Sequence, residues 1–322
     1  MRSAATVARL LEVASARLAA AGIDTPRVDA EWLLVGLLGA RRGDLGLLLG
    51  QEPDAGLVTR YEAAIERRRG REPLQRILGW EGFRGLRLRL SPDVLVPRPE
   101  TEVLVDLVLA LLPTPRGGRR PVVIDVGTGS GCVACAIAAE RADVQVIATD
   151  TAVGALHVAR DNALRLGLGQ IHLVAADLLT AVGPGAADLI VSNPPYLPTA
   201  LLGSLAPEVR DHEPRAALDG GHDGLRALAG LVGDAARILR PGGALVVESG
   251  GGPQADAVVE LMRDAGFVDA TVRRDLVGID RFVSARATIE LGGAATAPSK
   301  PPRSREVRPP TFETSRGHFR NS

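Results

Sequence analysis

Val122-Val123-Ile124-Asp125-Val126-Gly127-Thr128-Gly129-Ser130-Gly131 is the stretch of this chain from which its fold can be read. The first five residues, four of them β-branched and apolar, predict a buried strand. Glycine then stands at alternate positions, which lets the backbone turn tightly and come close to a ligand. The helix expected next, over 131–141, would aim its free N–H groups at that ligand. A glycine loop by itself is a weak sign. A second feature accompanies it: Asp150 closes the next expected strand about 20 residues further on, where a carboxylate can accept bonds from ribose hydroxyls.

Strands and helices alternate outward from this unit. Strands are expected over 121–126, 144–149, 171–175, 188–192 and 244–248, then near 268–273 and 281–286. Helices are expected at about 101–112, 153–166, 223–239 and 254–265, and Pro241-Gly242-Gly243 reads as a turn. Such alternation predicts an α/β fold with a mostly parallel sheet covered on both faces. Upstream the texture differs. Val7, Leu10, Leu11, Ala14 and Leu18 recur at helical spacing, and Gly22 ends that helix. Thr25 caps a second helix with Pro26 at its first position, and a third runs from about Asp54 to Arg69. Arg67-Arg68-Arg69 reads as a solvated face, with a partner surface as the second reading. Phe83 to Leu90 alternates with period two, as a strand or hairpin does. The organisation is therefore a helical region over 1–75, a β-hairpin linker over 76–96, an α/β domain over 97–290 and a disordered, Pro/Arg/Ser/Gly-rich tail over 291–322.

Composition narrows the classes. The 322 residues are 46% apolar and carry 38 basic against 38 acidic side chains. A protein that bound phosphate backbones would normally show a basic excess. Cys132 and Cys135 are the only cysteines, too few for a disulfide scaffold. Their spacing invites a redox reading, but at the start of a helix they read better as small core-facing residues. Arg9, Glu12 and Arg17 interrupt any signal-peptide core, and no apolar run is long enough to span a bilayer. The expectation is a soluble, cytoplasmic protein.

The loop also speaks to the ligand. It is G-x-G-x-G, and Cys132 occupies the place where a dinucleotide loop has its third glycine, which disfavours NAD. Asp125, just before the loop, suits a ligand carrying a cationic amino group and a sulfonium. S-adenosylmethionine has both. Asp177, after the third strand, is placed to reach the adenine amino group, with Leu178 against the ring; a turn cap is the plainer reading of Asp177. Asn193-Pro194-Pro195-Tyr196 follows the apolar run over 188–192. Two prolines cannot continue a strand. They present an Asn side chain, bare carbonyls and an aromatic ring at the strand's carboxyl end, where open α/β sheets bind ligands. The Asn193 oxygen and the Pro194 carbonyl can accept the two hydrogens of a planar –NH2 group, and the Tyr196 ring can pack on its plane. A rigid turn is the plainer reading.

These elements together resemble a class I (Rossmann-like) methyltransferase acting on an amino nitrogen. Further stretches are similar to the release factor glutamine methyltransferases, the PrmC/HemK family. They are Pro73-Leu74-Gln75-Arg76-Ile77-Leu78-Gly79, Val96-Pro97-Arg98-Pro99-Glu100-Thr101-Glu102, Glu213 to Gly221, and Asp275 to Arg281. The resemblance spans about residues 5–287. It implies S-adenosylmethionine held by Gly127, Thr128, Gly129, Ser130, Gly131, Asp150, Asp177, Leu178 and Asn193. The five histidines are scattered without metal-ligand spacing, so no metal is expected. The resemblance also implies that Asn193, Pro194, Pro195 and Tyr196 bind the substrate, a class 1 peptide chain release factor. The methyl acceptor is the glutamine amide nitrogen of its Gly-Gly-Gln motif, and Asn193, Pro194 and Tyr196 carry the chemistry.

Arg98, Glu100 and Thr101 shape the pocket wall or form a linker turn. Ribosomal-protein glutamine methyltransferases are similar but read Pro-Arg-Ser-Pro where this chain has Pro-Arg-Pro-Glu-Thr. A DNA adenine methyltransferase presents the same –NH2 chemistry, and a nucleoside-binding regulator is the non-enzymatic alternative. Neither direct nucleic-acid contact nor membrane attachment is expected. Two departures from the family pattern stand out. Gln254 lies one residue further beyond Glu248 than usual, and the tail is longer. Neither is expected to touch the catalytic residues.

Overall fold

The computed structural model describes residues 6–115 and 117–288; the expected disordered tail lies outside them. The chain opens with helices α1 (Val7–Ala20), α2 (Pro26–Leu38), α3 (Leu45–Leu48), α4 (Ala55–Arg69) and α5 (Leu74–Leu78). Their apolar faces bury Leu11, Leu18, Leu33, Leu34 and Ile65 in one cluster. Tyr61 joins that cluster because its hydroxyl finds the Ala30 carbonyl at 3.0 Å, which removes the cost of burying it. Asp54 caps α4, accepting the Leu57 N–H at 2.8 Å.

Two sequence expectations fail here for one reason. Thr25 precedes α2, with Pro26 at its first position, but its side chain caps no backbone N–H. Its hydroxyl instead donates to Asp29 at 2.8 Å. Asp29 is buried and takes Arg68 at 2.6 Å. Arg68 is thus not part of a solvated face: it is buried and also reaches Glu208 at 3.1 Å. Consecutive helical residues point about 100° apart, so a run of three arginines cannot share one environment.

A hairpin follows, β1 (Trp80–Phe83) and β2 (Leu86–Arg89), closed by Arg84 and Gly85, both at positive φ. The remaining elements are α6 (Thr101–Leu111), β3 (Val122–Val126), α7 (Cys132–Glu140), β4 (Gln145–Asp150), α8 (Val153–Leu166), β5 (Ile171–Ala175), β6 (Ala187–Ser192), α9 (Pro207–Arg210), α10 (Arg226–Ile238), β7 (Leu239–Glu248), α11 (Pro253–Asp264), β8 (Phe267–Arg274) and β9 (Asp280–Ala287). The last seven strands form one sheet in the order β5-β4-β3-β6-β7-β9-β8. Pairings among β3 to β7 are parallel, and β9 runs against its neighbours.

Both faces of the sheet are covered, and the period-two alternation shows how. Val123, Leu189, Val191, Ala244 and Val246 face the core beneath α6 and α7. Ile124, Ile190, Leu245 and Val247 face the core beneath α10 and α11. Pro241-Gly242-Gly243, expected as a turn, lies within β7, where the register with β6 shifts between Ala187 and Leu189. Arg240 to Gly243 are the extra residues, with no register partner on either side, and Gly242 takes φ of 78° as a turn would have it. The order reverses at β3: its helix leads to β4 on one side, and β6 lies on the other. That reversal opens a crevice at the carboxyl ends of β3 and β6.

Candidate active site

The glycine loop and Asn193 meet at this crevice, because Val126 pairs with Ser192 across the two strands. Gly127, Gly129 and Gly131 all take positive φ, between 55° and 79°, a conformation that costs a residue with a Cβ. A Cβ added at Gly127 or Gly129 would meet nothing within 4 Å. These two positions therefore line open space, whereas a Cβ at Gly131 would press on Ala159 at 3.1 Å. The loop is tied down from several sides. The N–H groups of Gly127 and Thr128 both donate to the Thr149 carbonyl at 2.9 Å. Asn162, buried on α8, donates to the carbonyls of Ser130 at 2.9 Å and Arg89 at 3.1 Å. It joins the hairpin to the loop, a role no local pattern announces.

Asp125, expected to suit a cationic ligand, is bonded within the loop and to the first turn of α7. It is buried, and one of its oxygens takes the Thr128 hydroxyl at 2.7 Å and the Ala134 N–H at 3.1 Å. Burial pushes its carboxyl up to about 6, against the lowering effect of those two bonds. It braces the loop onto the first turn of α7. Asp150 ends β4 beside the loop, half-buried. It accepts N–H bonds from Gly129 and from Ala152, each at 2.9 Å. Asp177 is exposed. Its carbonyl accepts both the N–H and the hydroxyl of Thr180, as a turn would have it. Leu178 holds φ at +48°, strained for a leucine by on the order of 1 kcal/mol or more. The Thr149 hydroxyl on its carbonyl, at 3.2 Å, helps to keep it there. Cys132 and Cys135 are free thiols, with Cys135 in the core and Cys132 at its margin; burial pushes both up to about 12, which leaves them without thiolate character.

Beyond β6 the chain turns out of the sheet at Asn193. Asn193 Nδ2 donates to Thr101 Oγ1 at 3.1 Å. Thr101, the first residue of α6, donates in turn to Glu248 Oε2 at 2.9 Å. The Tyr196 hydroxyl reaches the other oxygen of Glu248 at 3.3 Å. No donor among the described residues bonds Asn193 Oδ1 or the Pro194 carbonyl. Both acceptors expected to hold an –NH2 group are thus without a donor, as is the Pro195 carbonyl; Asn193 is half-buried and Pro194 buried. The Tyr196 ring is half-buried against the core beneath α10 and α11, and burial beside Glu248 raises its phenol.

Glu248 is the residue that sequence reasoning missed. It ends β7 next to Asn193, since Ser192 pairs with Val247, and it is 1% exposed. Burial pushes its carboxyl up to about 7, while the Thr101 hydroxyl and the Arg281 charge pull the other way. A single acid closing the apolar run over 244–247 was the available sign, the same sign that marked Asp150. Gln254 corrects a second expectation. It accepts the Gly250 N–H at 2.6 Å and donates to the Tyr196 carbonyl at 2.9 Å, so the longer loop does touch the site. Gly224 allows this clamp: a Cβ there would lie 2.3 Å from the Tyr196 carbonyl oxygen and 2.5 Å from Gln254 Nε2. Among the described residues no group of acidic, Cys and His side chains could hold a metal, and no helix is long and apolar enough to cross a membrane.

Two family models match the chain, the PrmC N-terminal domain over residues 9–79 and the methyltransferase small domain over residues 102–200. A release factor glutamine methyltransferase of Geobacter sulfurreducens is 41% identical over 281 residues, which is 87% of this chain and 96% of that protein. One from Deinococcus radiodurans is 44% identical over 277 residues, covering 86% and 97%. A solved methyltransferase from Pyrococcus furiosus superposes over 64% of this chain and 90% of its own, at 20% identity and a TM-score of 0.47.

Proposed function

The chain belongs to the release factor glutamine methyltransferases, and from that membership we propose that it methylates the side-chain amide nitrogen of the glutamine in the Gly-Gly-Gln motif of class 1 release factors. The cofactor is S-adenosylmethionine, which supplies a methyl group already activated by a sulfonium. The residues at the crevice fit it. Gly127 and Gly129 leave room for close approach, Asp150 offers a carboxylate at ribose height, and Asp177 with Leu178 borders the space from the next strand. The protein works in the cytoplasm and needs no direct contact with nucleic acid.

The observation that carries the reading is that Asn193 Oδ1 and the Pro194 carbonyl, at the strand end beside the glycine loop, have no donor among the described residues. An amide nitrogen is a poor nucleophile because its lone pair is delocalised into the carbonyl. Two acceptors on its hydrogens fix the plane of the group and aim the nitrogen. Alignment of this kind is worth about 7–11 kcal/mol in favourable cases. As the nitrogen loses planarity and gains positive charge, both acceptors bind it more strongly, which lowers the barrier and not merely the energy of binding. The N–H becomes acidic during transfer, so no strong base is needed beforehand. Tyr196 packs against the glutamine and closes the pocket.

A purified class 1 release factor is expected to gain one methyl group on that glutamine, read by peptide mass spectrometry, while duplex DNA gains none. Changing the glutamine to Asn shortens its reach by a methylene and is expected to lower turnover on the order of a hundredfold. Label found in DNA and absent from the factor would overturn the reading. Asp150→Ala tests the cofactor side. It removes a charged acceptor, so S-adenosylmethionine affinity is expected to fall by roughly 1.5–3 kcal/mol, measured by calorimetry. Unchanged affinity would remove Asp150 from the cofactor site.

A further inference from the structure

We propose that Thr101 and Glu248 are positioning residues that set the polarity of the Asn193 amide, so that its oxygen and not its NH2 group meets the substrate. The proposal deepens the function proposed above and rests on it for its kinetic part only. An Asn side chain is nearly symmetric in shape, and its two ends differ only in donor and acceptor character. In one orientation Asn193 would accept the hydrogens of a substrate amide. Flipped by 180°, it would point its own hydrogens at them and repel the group it should hold. Nothing in the covalent structure of Asn193 chooses between the two.

The choice is made two residues away. Glu248 Oε2 takes the Thr101 hydroxyl at 2.9 Å. A hydroxyl has one proton, so Thr101 Oγ1 has only lone pairs left for Asn193. The atom of Asn193 that faces it at 3.1 Å must then be a donor, Nδ2. Acceptor on Glu248, donor and acceptor on Thr101, donor on Asn193: each link dictates the next, and Oδ1 is left facing the crevice. Thr101 and Glu248 are each 1% exposed, so water does not compete for these bonds. The two residues lie on separate elements, the start of α6 and the end of β7, and converge on Asn193 at the end of β6. Arg281 keeps the buried carboxyl ionisable, and the Tyr196 hydroxyl occupies its other oxygen at 3.3 Å. Once ionised, the carboxylate has no proton to give, and the direction of the relay is set.

Thr101→Val keeps the shape and removes the hydroxyl. It frees Asn193 to flip. The expected result at pH 8 is a fall in kcat of about ten- to hundredfold, with KM for S-adenosylmethionine unchanged. Thr101→Ser restores the hydroxyl and is expected to recover most of the rate. Glu248→Leu removes the acceptor that orients the hydroxyl, and Thr101→Val is expected to cost nothing further in that background, since the two act as one unit. A second readout does not depend on catalysis. The chain has three asparagines, Asn162, Asn193 and Asn321. Side-chain 15N labelling of Asn therefore gives three amide pairs, assignable by single substitution. The Asn193 pair is expected to exchange its hydrogens slowly in the wild type and in Thr101→Ser, and fast in Thr101→Val. Retained kcat with a still-protected Asn193 amide in Thr101→Val would overturn the proposal, as would an equal cost of Thr101→Val with and without Glu248. If the wild type transferred no methyl to glutamine, the proposed function would fall while the exchange measurement still decided the relay.

Discussion

Asn193→Ala is expected to abolish measurable methyl transfer to the release factor while leaving a folded protein. In the proposed function Asn193 Oδ1 is one of two acceptors for the substrate amide, and its bond would strengthen as charge develops on the nitrogen. Removing one preorganised polar group aimed at a developing charge typically costs about 10²–10³ in kcat. The loss here belongs at the upper end, because the same acceptor also orients the nucleophile. The fold has little reason to suffer. Thr101 Oγ1 loses the Asn193 donor but keeps its own bond to Glu248 at 2.9 Å, so no buried donor is orphaned. Ser192, which precedes Asn193, stays anchored by its hydroxyl on the Val126 carbonyl at 2.7 Å. The measurement is single-turnover methylation of a purified factor, with cofactor binding and circular dichroism as controls. Turnover within a few-fold of the wild type would remove Asn193 from the chemistry.

Much of the molecule was legible because its signals are local. A strand, a tight glycine loop and a helix occupy consecutive residues from Val122 to Glu140, and the pattern needs nothing from elsewhere in the chain. Asn193 to Tyr196 are equally contiguous: two prolines end the ladder wherever they stand, and the sheet decides only what they face. Asp150 was legible because the βαβ unit fixes how far along the chain the next strand ends. What stayed hidden is set by pairing across long separations. Thr101 and Glu248 are 147 residues apart and meet only when α6 packs beside β7. Gln254 reaches back 58 residues to the Tyr196 carbonyl. The wrong expectations share that origin. Thr25 has the sequence of a cap, yet a buried carboxylate four residues on competes better for its hydroxyl. Asp125 has the position of a ligand contact, yet it is buried and one of its oxygens already holds Thr128 and Ala134. Local chemistry states what a side chain is able to bond; the fold decides which of its possible partners arrives.

Arg76→Ala is expected to destabilise the protein by about 3–5 kcal/mol, the range for breaking a buried ion pair by removing one partner. Arg76 lies on α5, at the end of the helical region, with its side chain 6% exposed. It donates to the carbonyls of Ser91 and Val94, each at 2.8 Å, and to Glu213 at 2.7 Å. Glu213 comes from the segment between β6 and α10. It also takes the Val96 N–H and Arg98, both at 3.3 Å. One guanidinium thus joins three parts of the chain: the helices, the stretch after the hairpin, and the segment that follows Asn193 to Tyr196. Alanine would leave a carboxylate that is 1% exposed with only Arg98 and one N–H, a Ser91 carbonyl with only the Val94 N–H at 3.3 Å, and a Val94 carbonyl with no donor. A lysine would not replace it, because a single ammonium cannot span the three acceptors that the planar fork reaches.

The two tryptophans supply a local probe of this junction. Trp32 on α2 and Trp80 at the start of β1 meet edge to face, 6.1 Å between ring centroids. Their fluorescence reports the junction of helices and hairpin, while circular dichroism reports the whole chain. In urea the wild type is expected to lose both signals together. In Arg76→Ala the fluorescence transition is expected to move to lower urea than the dichroism transition, because the lost bonds lie between parts and not within either core. Glu213→Gln keeps an acceptor for Arg76 but removes the counter-charge of a guanidinium that is 6% exposed, and is expected to be destabilising as well. A midpoint shift in Arg76→Ala equivalent to under about 1 kcal/mol, with the two signals still coincident, would show that apolar packing alone holds these parts together.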